Sequence, residues 1–269
     1  MRLDYAVVHR GLVESRTKAQ RLIRSGGVSI SGEVVTKVSA QVGTDDVLVT
    51  RKKNPFVGRG AFKLLAALDF WKLSVQGCFV LDIGASTGGF TQVLLDKGAR
   101  SVVALDAGHG QLHPSLKDNH RILLHEGQNV KNISSNWWEE NVRVLPDLVT
   151  CDVSFISLTK VLSPVTAAIG RLDWVALVKP QFESGRKGVK NGVVVSPQLR
   201  EAAIFSVSEA AAEVGLKTAG LIASPVRGAK GNREYLIWLS PTQGWYPSRW
   251  KNQIHELVFS ELGGTHGPK

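Results

Sequence analysis

Val80-Leu-Asp-Ile-Gly-Ala-Ser-Thr-Gly-Gly-Phe-Thr91 runs from an apolar stretch through a turn of small residues into an amphipathic segment, the order of a strand, a tight turn and a helix. In an open α/β sheet such a turn holds a ligand against the carboxyl end of its strand. Three ligand classes compete for it. A phosphate-binding loop reads GxxxxGK[ST], and Gly84 to Thr91 fits every position except the lysine, where Phe90 stands. A dinucleotide turn reads GxGxxG, but Ser86 occupies the second glycine position and Gly88 and Gly89 are adjacent, which leaves no seat for a pyrophosphate. S-adenosylmethionine instead needs a carboxylate near its ammonium and backbone amides near its carboxylate. Asp82, Gly84, Ala85, Ser86, Thr87, Gly88, Gly89 and Phe90 are the candidates to supply them. Asp106, followed by Ala107, ends the next apolar run, where an acid accepts ribose hydroxyls.

Outward from this turn the chain alternates between strand and helix patterns. Strands are expected near Phe79 to Asp82, Val102 to Asp106, Ile122 to Leu124, Leu148 to Asp152, Trp174 to Val178, Leu216 to Ala223 and Tyr235 to Leu239. Helices are expected near Lys63 to Phe70, Gly89 to Lys97, Leu158 to Ile169 and Pro197 to Val214. That alternation predicts a Rossmann-like, doubly wound α/β sheet with helices on both faces, over residues 61 to 243. A tail follows over 244 to 269, and its Trp245, Arg249 and Trp250 fit either a packed extension or a free end.

The first 50 residues read differently. Leu3, Val7 and Val8 make one apolar face; Ser15 is the N-cap of a helix reaching Ile23; Ser25, Gly26 and Gly27 stop it. Val28 to Ile30, the turn Ser31-Gly32-Glu33 and Val34-Val35 then read as a hairpin. Residues 51 to 60, with a proline, two glycines and four cations, read as a basic linker. Lysine and arginine number 33 against 23 acids in the 269-residue chain, a net charge of +10, and 11 of those cations with only 5 acids fall in the first 60 residues. A polyanion is the implied partner, and the N-terminal fifth its handle.

The pattern Arg2-Leu-Asp4, Arg10-Gly-Leu12, Ser15-Arg16, Ala19, Leu22-Ile23, Gly26-Gly27-Val28, Gly32 and Lys37 resembles the S4-like RNA-binding domain. That resemblance implies a small α+β module whose Arg2, Arg10, Arg16, Lys18, Arg21, Arg24 and Lys37 hold structured RNA through its phosphates, continued by Arg51, Lys52, Lys53 and Arg59 of the linker. Five further blocks, Asp82 to Thr91, Ala104 to Leu112, Asp152 to Leu158, Leu177 to Glu183 and Gly228 to Tyr235, resemble the TlyA family, often labelled hemolysin A. Its members combine an S4-like domain with an FtsJ-like class I methyltransferase domain. The resemblance implies 2′-O-methylation of cytidines in 16S and/or 23S ribosomal RNA, with S-adenosyl-L-methionine as cofactor and ribosomal RNA or ribosomal subunits as partner. FtsJ-like enzymes share a Lys-Asp-Lys-Glu set, and the matching positions are Lys63, Asp152, Lys179 and Glu234. Lys179 then takes the base-like role, Asp152 and Glu234 orient the lysines and the hydroxyl, and Asp152 also borders the cofactor.

The competing readings are an RNA-binding assembly factor without catalysis and, from the hemolysin label, a membrane-damaging protein. No metal is expected, because His109 and His113 lack a glutamate at zinc-motif spacing. Ser154 and Ser157 lack a nucleophile elbow. Trp137 and Trp138 read as packing rather than base stacking. Met1 to Leu22 is too rich in charge for a secretion signal and no 18-residue apolar run follows, so a cytoplasmic protein is expected, with Cys78 and Cys151 as unpaired core residues.

Overall fold

A computed structural model of the chain describes residues 1–44, 46, 48–50, 55–185, 188–228 and 230–260. The chain divides into two compact units, Met1–Pro55 and a second from Phe56 onward.

In the first unit, α1 (Leu3–His9) and α2 (Arg16–Arg24) pack together, and β1 (Val28–Ile30) pairs antiparallel with both β2 (Glu33–Val34) and β3 (Leu48–Thr50). The Ser15 hydroxyl caps α2 by accepting from the Lys18 amide, a contact worth about 1 kcal/mol. Leu3, Ala6, Val7, Ala19, Ile23, Val28 and Val42 form its core. A core this small is marginal alone, and polar ties add to it. Asp4 is fully buried and accepts from Arg2 and Arg16 at 3.1 and 2.8 Å and from Gln20 at 3.0 Å. Burial works against its charge, but these donors outweigh burial and hold the carboxyl well below the usual carboxylate range.

The second unit contains, in order, α3 (Ala61–Trp71), β4 (Phe79–Ile83), α4 (Gly89–Asp96), β5 (Ser101–Leu105), α5 (Pro114–Lys117), β6 (Ile122–His125), α6 (Ser135–Asn141), β7 (Leu148–Cys151), α7 (Thr159–Ile169), β8 (Asp173–Val178), α8 (Pro180–Glu183), β9 (Val189–Lys190), β10 (Val193–Val194), α9 (Pro197–Glu213), β11 (Lys217–Ala223), β12 (Tyr235–Ser240) and α10 (Lys251–Phe259). Seven strands form one sheet in the order β11-β12-β8-β7-β4-β5-β6, with β12 antiparallel to both neighbours and the other described pairings parallel. All seven expected sheet strands are present. Side chains alternate across the pleat. Phe79, Leu81 and Ile83 join Val103, Leu105, Val149 and Trp174 beneath α6, α7, α9 and α10, whereas Val80, Val102, Val175 and Leu177 pack against α3 and α4. The sheet is therefore covered by helices on both faces, as the doubly wound pattern requires.

Residues 244–260, the described part of the tail, are packed rather than free. Trp245 pairs with Thr218 of edge strand β11, and the wholly buried Trp250 donates to the Thr218 carbonyl at 2.9 Å. Trp138 is buried and half-buried Trp137 meets His125 edge-on, so both tryptophans are packing residues. Cys151 is buried, Cys78 only half-buried, and both are free thiols. Among the described residues no helix is long and apolar enough to cross a membrane, and no group of three or more His, Cys, Asp or Glu is arranged to hold a metal.

Candidate active site

The parallel strands β4, β5, β7 and β8 all finish on one edge of the sheet, and the residues that immediately follow them are Gly84, Asp106, Asp152 and Lys179. Strand β12 runs the other way, with Tyr235 opposite Val178, so the residue before it, Glu234, arrives at the same edge. Helix α3 brings Lys63 there in its first turn. Four residues scattered over 171 positions of sequence thus meet at one place.

They meet as ion pairs. Lys63 Nζ donates to Glu234 Oε2 at 2.7 Å and lies 3.7 Å from Asp152 Oδ2; Lys179 Nζ lies 2.6 Å from Asp152 Oδ1. Asp152 Oδ1 is thus buried against Lys179, which also donates to Ser154 Oγ at 2.9 Å. Gln181 donates to Glu234 Oε1 at 3.1 Å. Lys63, Lys179 and Glu234 are 8%, 7% and 3% exposed, depths at which a lone charge would be prohibitive. Two cations and two anions cancel, but a buried ionic network seldom stabilises a fold better than apolar packing would. Its presence here points to chemistry. Gly228 lets Glu234 take its place, because a Cβ there would stand 2.3 Å from Glu234 Oε1.

Around this tetrad lies a cleft of about 450 Å³, walled by Arg59, Phe155, Phe182, Arg227, Lys230 and the β9–β10 hairpin. A second cavity of about 590 Å³ opens between the ends of β4 and β5, lined by Gly84, Ser86, Asp106, Ala107, Gly108, Gln111, Gln128, Asn129 and Val130. A narrower pocket of about 180 Å³, between Gly58 to Gly60 and the turn Gly84-Ala85-Ser86-Thr87 with Gly89 and Phe90, shares Asp152 with both and reaches Lys179. Asp106 Oδ2 accepts from the Ser86 amide at 2.8 Å, and Oδ1 from the Gly108 amide at 2.7 Å and Gln111 Nε2 at 3.4 Å, which leaves Oδ2 a lone pair for a ligand hydroxyl. Gly84 is needed for the approach of the two strand ends: its φ is +81°, and a Cβ would meet the Asp152 carbonyl oxygen at 2.6 Å.

Two candidates from the turn lie elsewhere. Asp82 does not reach any of these cavities. It shares its face of β4 with Val80, so the pleat directs it under α4, where it is fully buried and accepts from Thr91 and Thr150 hydroxyls at 2.6 and 2.9 Å. Burial, assisted by nearby Asp152 and opposed by those hydroxyls, raises its carboxyl from 3.8 to about 6. Asp82 ties β4 to β7 and α4. Gly88 likewise turns away, at φ +91°, with a Cβ position only 2.4 Å from Leu116.

The sequence reading missed Ser154, Gln181, Gln128, Asn129 and Glu126. Glu126 accepts from the amides of Gly110, Gln111 and Leu112 and so fixes the loop beside Asp106. Among the basic residues proposed for RNA, Arg2 and Arg16 pair with Asp4, Arg10 donates to the carbonyls of Gly43, Thr44 and Asp46, and Lys18 pairs with Glu14. These four have structural partners as well as exposure, whereas Arg21, Arg24 and Lys37 are exposed without a described partner. Arg51, Lys52 and Lys53 lie outside the described residues.

Comparison with known proteins gives this geometry a lineage. Residues 56–240 match the model of the FtsJ-like methyltransferase family, and residues 1–48 that of the S4 domain. The 16S/23S rRNA (cytidine-2′-O)-methyltransferase TlyA of Mycobacterium tuberculosis H37Rv is 43% identical over 242 residues, covering 88% of this chain and 89% of that one. Hemolysin A of Brachyspira hyodysenteriae is 39% identical, over 88% and 98%. A solved Streptococcus thermophilus structure, described as a hemolysin, superposes with a TM-score of 0.73 at 34% identity, over 96% of this chain and 94% of that one. The chain belongs to the TlyA family, with an S4 domain followed by an FtsJ-like methyltransferase domain.

Proposed function

We propose that this protein is a 2′-O-methyltransferase acting on cytidine in 16S and/or 23S ribosomal RNA in the cytoplasm, with S-adenosyl-L-methionine as methyl donor. The observation that carries the reading is the Lys63-Asp152-Lys179-Glu234 tetrad, joined through Asp152 to the cavity at Asp106. That cavity has the size and donor set for the cofactor: Asp106 for ribose hydroxyls, Val130 and Ile156 for an apolar ring, and the Ser86 to Gly89 turn beside the narrower pocket for the methionine end. When bound, S-adenosylmethionine supplies an electrophilic methyl group on a sulfonium.

A ribose hydroxyl is a poor nucleophile and must lose its proton as its bond to the methyl carbon forms. Lys179, in the base-like role, must first release its own ammonium proton to solvent; as the neutral amine it then receives the proton of the hydroxyl. Asp152, 2.6 Å away, compensates the ammonium that results. Lys63, held by Glu234, sets Asp152 from the other side and adds positive field where negative charge gathers on oxygen. The S4 domain, with its exposed Arg21, Arg24 and Lys37, supplies phosphate contacts that position the RNA.

The test is transfer of radiolabelled methyl from S-adenosylmethionine to ribosomal RNA or subunits from cells lacking this modification. Reverse-transcription stops at low nucleotide concentration then map the product. Labelling at a cytidine 2′-oxygen by wild type is the expected result. RNA binding with no transfer would overturn the enzyme reading and leave an assembly factor.

A further inference from the structure

The rim of the tetrad cleft carries two cations with no assigned role. Arg227 and Lys230 are exposed, line the cleft, and among the described residues are in no ion pair. They sit on the turn leading to Glu234, which closes on itself through the Gly228 amide to the Asn232 carbonyl at 3.0 Å and the Gly231 amide to the Gly228 carbonyl at 2.8 Å. Arg227 Nη1 donates to the Gly231 carbonyl at 3.1 Å, leaving its other N–H groups free of described partners.

The turn is clamped from below. Asn232 is 3% exposed, and both ends of its amide are engaged by the hairpin: Nδ2 donates to the Gly192 carbonyl at 2.7 Å and Oδ1 accepts from the Val194 amide at 2.9 Å. The Lys230 side chain lies along the hairpin turn, with a Cβ position at Gly192 falling 2.9 Å from its Cδ and 3.0 Å from its Nζ. The tetrad makes no use of Asn232. A buried amide spent wholly on a hairpin of two-residue strands makes that hairpin and the cation-bearing turn one wall.

What that wall faces follows from nucleotide chemistry. In RNA the 2′-carbon is bonded to the 3′-carbon, which bears a phosphodiester, so a 2′-hydroxyl seated on the tetrad brings a phosphate to the rim. We propose that Arg227 and Lys230 form a phosphate subsite for the phosphodiester flanking the acceptor ribose, and that Asn232 is the positioning residue that holds this subsite by clamping the turn to the β9–β10 hairpin. The inference rests on the 2′-O reading above.

The test measures equilibrium affinity of the full chain for deproteinised ribosomal RNA across a salt series, with cofactor affinity measured by calorimetry alongside. Arg227→Ala/Lys230→Ala should weaken RNA binding roughly tenfold and flatten its logarithmic salt dependence by about 0.7 for each single-strand phosphate that is no longer neutralised. Asn232→Ala removes no charge, yet it should reproduce both effects, and adding it to the double variant should change nothing further. Cofactor affinity should hold throughout. Lys160→Ala/Lys251→Ala, which removes the same charge from exposed positions elsewhere, should change the slope less. Unchanged affinity in the rim variant, an equal loss in the charge control, an Asn232→Ala effect that adds to the double variant, or lost cofactor affinity would each overturn the proposal. Because binding needs no methyl transfer, an inactive wild type would overturn the function reading alone.

Discussion

The tetrad cleft and the cofactor cavity share one loop, beginning at Asp152, yet are built on opposite principles. In the cleft, three buried charged side chains and the half-buried Asp152, from α3 and the ends of β7, β8 and β12, hold one another in place. In the cavity, a turn of small residues presents backbone, and one half-buried acid, Asp106, is oriented by two amides. A site made of mutually compensating charges fails when any one is removed, because the partner is left buried and unpaired. A site made of backbone is indifferent to most side chains and sensitive to what shapes its loops.

Lys179→Ala attacks that contrast where the effect should be largest. Methyl transfer is expected to fall by about 10³-fold or more, while cofactor affinity, followed by calorimetry, stays within about twofold because the cavity at Asp106 is untouched. Parallel loss of both would mean the two halves are a single device.

Asp82→Asn comes next and asks whether the buried acid belongs to the fold or to the cofactor. A carboxyl raised from 3.8 to about 6 binds its proton more readily folded than unfolded. Its contribution to stability is therefore fully present below 3.8 and lost as pH rises through about 6. Wild type minus variant, measured by urea denaturation, should decline over that window by on the order of 2 to 3 kcal/mol. Cofactor affinity should be retained. A large loss of affinity with a flat stability difference would return Asp82 to the cofactor site.

Asp106→Ala should weaken the cofactor by about tenfold, the worth of hydrogen bonds to a charged acceptor, without disturbing stability at neutral pH to the degree Asp82 does. An unchanged affinity would place the ribose elsewhere in the cavity.

The difference between Asp82 and Asp106 also marks what the sequence could reveal. Both are acids at the end of an apolar run, and spacing alone treats them alike. Asp106 lies one residue beyond β5, free of the pleat, whereas Asp82 is still inside β4, where alternation had already assigned its face. Counting Val80 with Asp82 and Leu81 with Ile83 would have shown it. The tetrad was legible through family motifs, and the strand ends it occupies through periodicity; its pairings were not, since Lys63 and Glu234 are 171 residues apart and only the reversed direction of β12 joins them. The β9–β10 hairpin escaped detection because two-residue strands leave no period to read.

Glu126 tests the smallest and most local part of the comparison. Its carboxylate gathers the Gly110, Gln111 and Leu112 amides at 2.6, 2.8 and 3.3 Å, and these hydrogen bonds, Gly110 foremost, hold its carboxyl below the ordinary value against a small opposing cost of burial. Glutamine keeps the shape but offers one neutral oxygen in place of two charged ones. If the backbone half of the site depends on loop shape, Glu126→Gln should loosen Gly108 and Gln111 in the cavity wall and weaken the cofactor by about two- to fourfold, less than one charged hydrogen bond, with methyl transfer at saturating cofactor barely altered. A depressed carboxyl loses its contribution only as pH falls below its ordinary value of 4.5, so the gap between wild type and variant should be constant from pH 8 to 6. No gap at all would mean that the Asp106 hydrogen bonds to Ser86 and Gly108 hold the loop unaided, and the cavity would then owe its shape to the strand end alone.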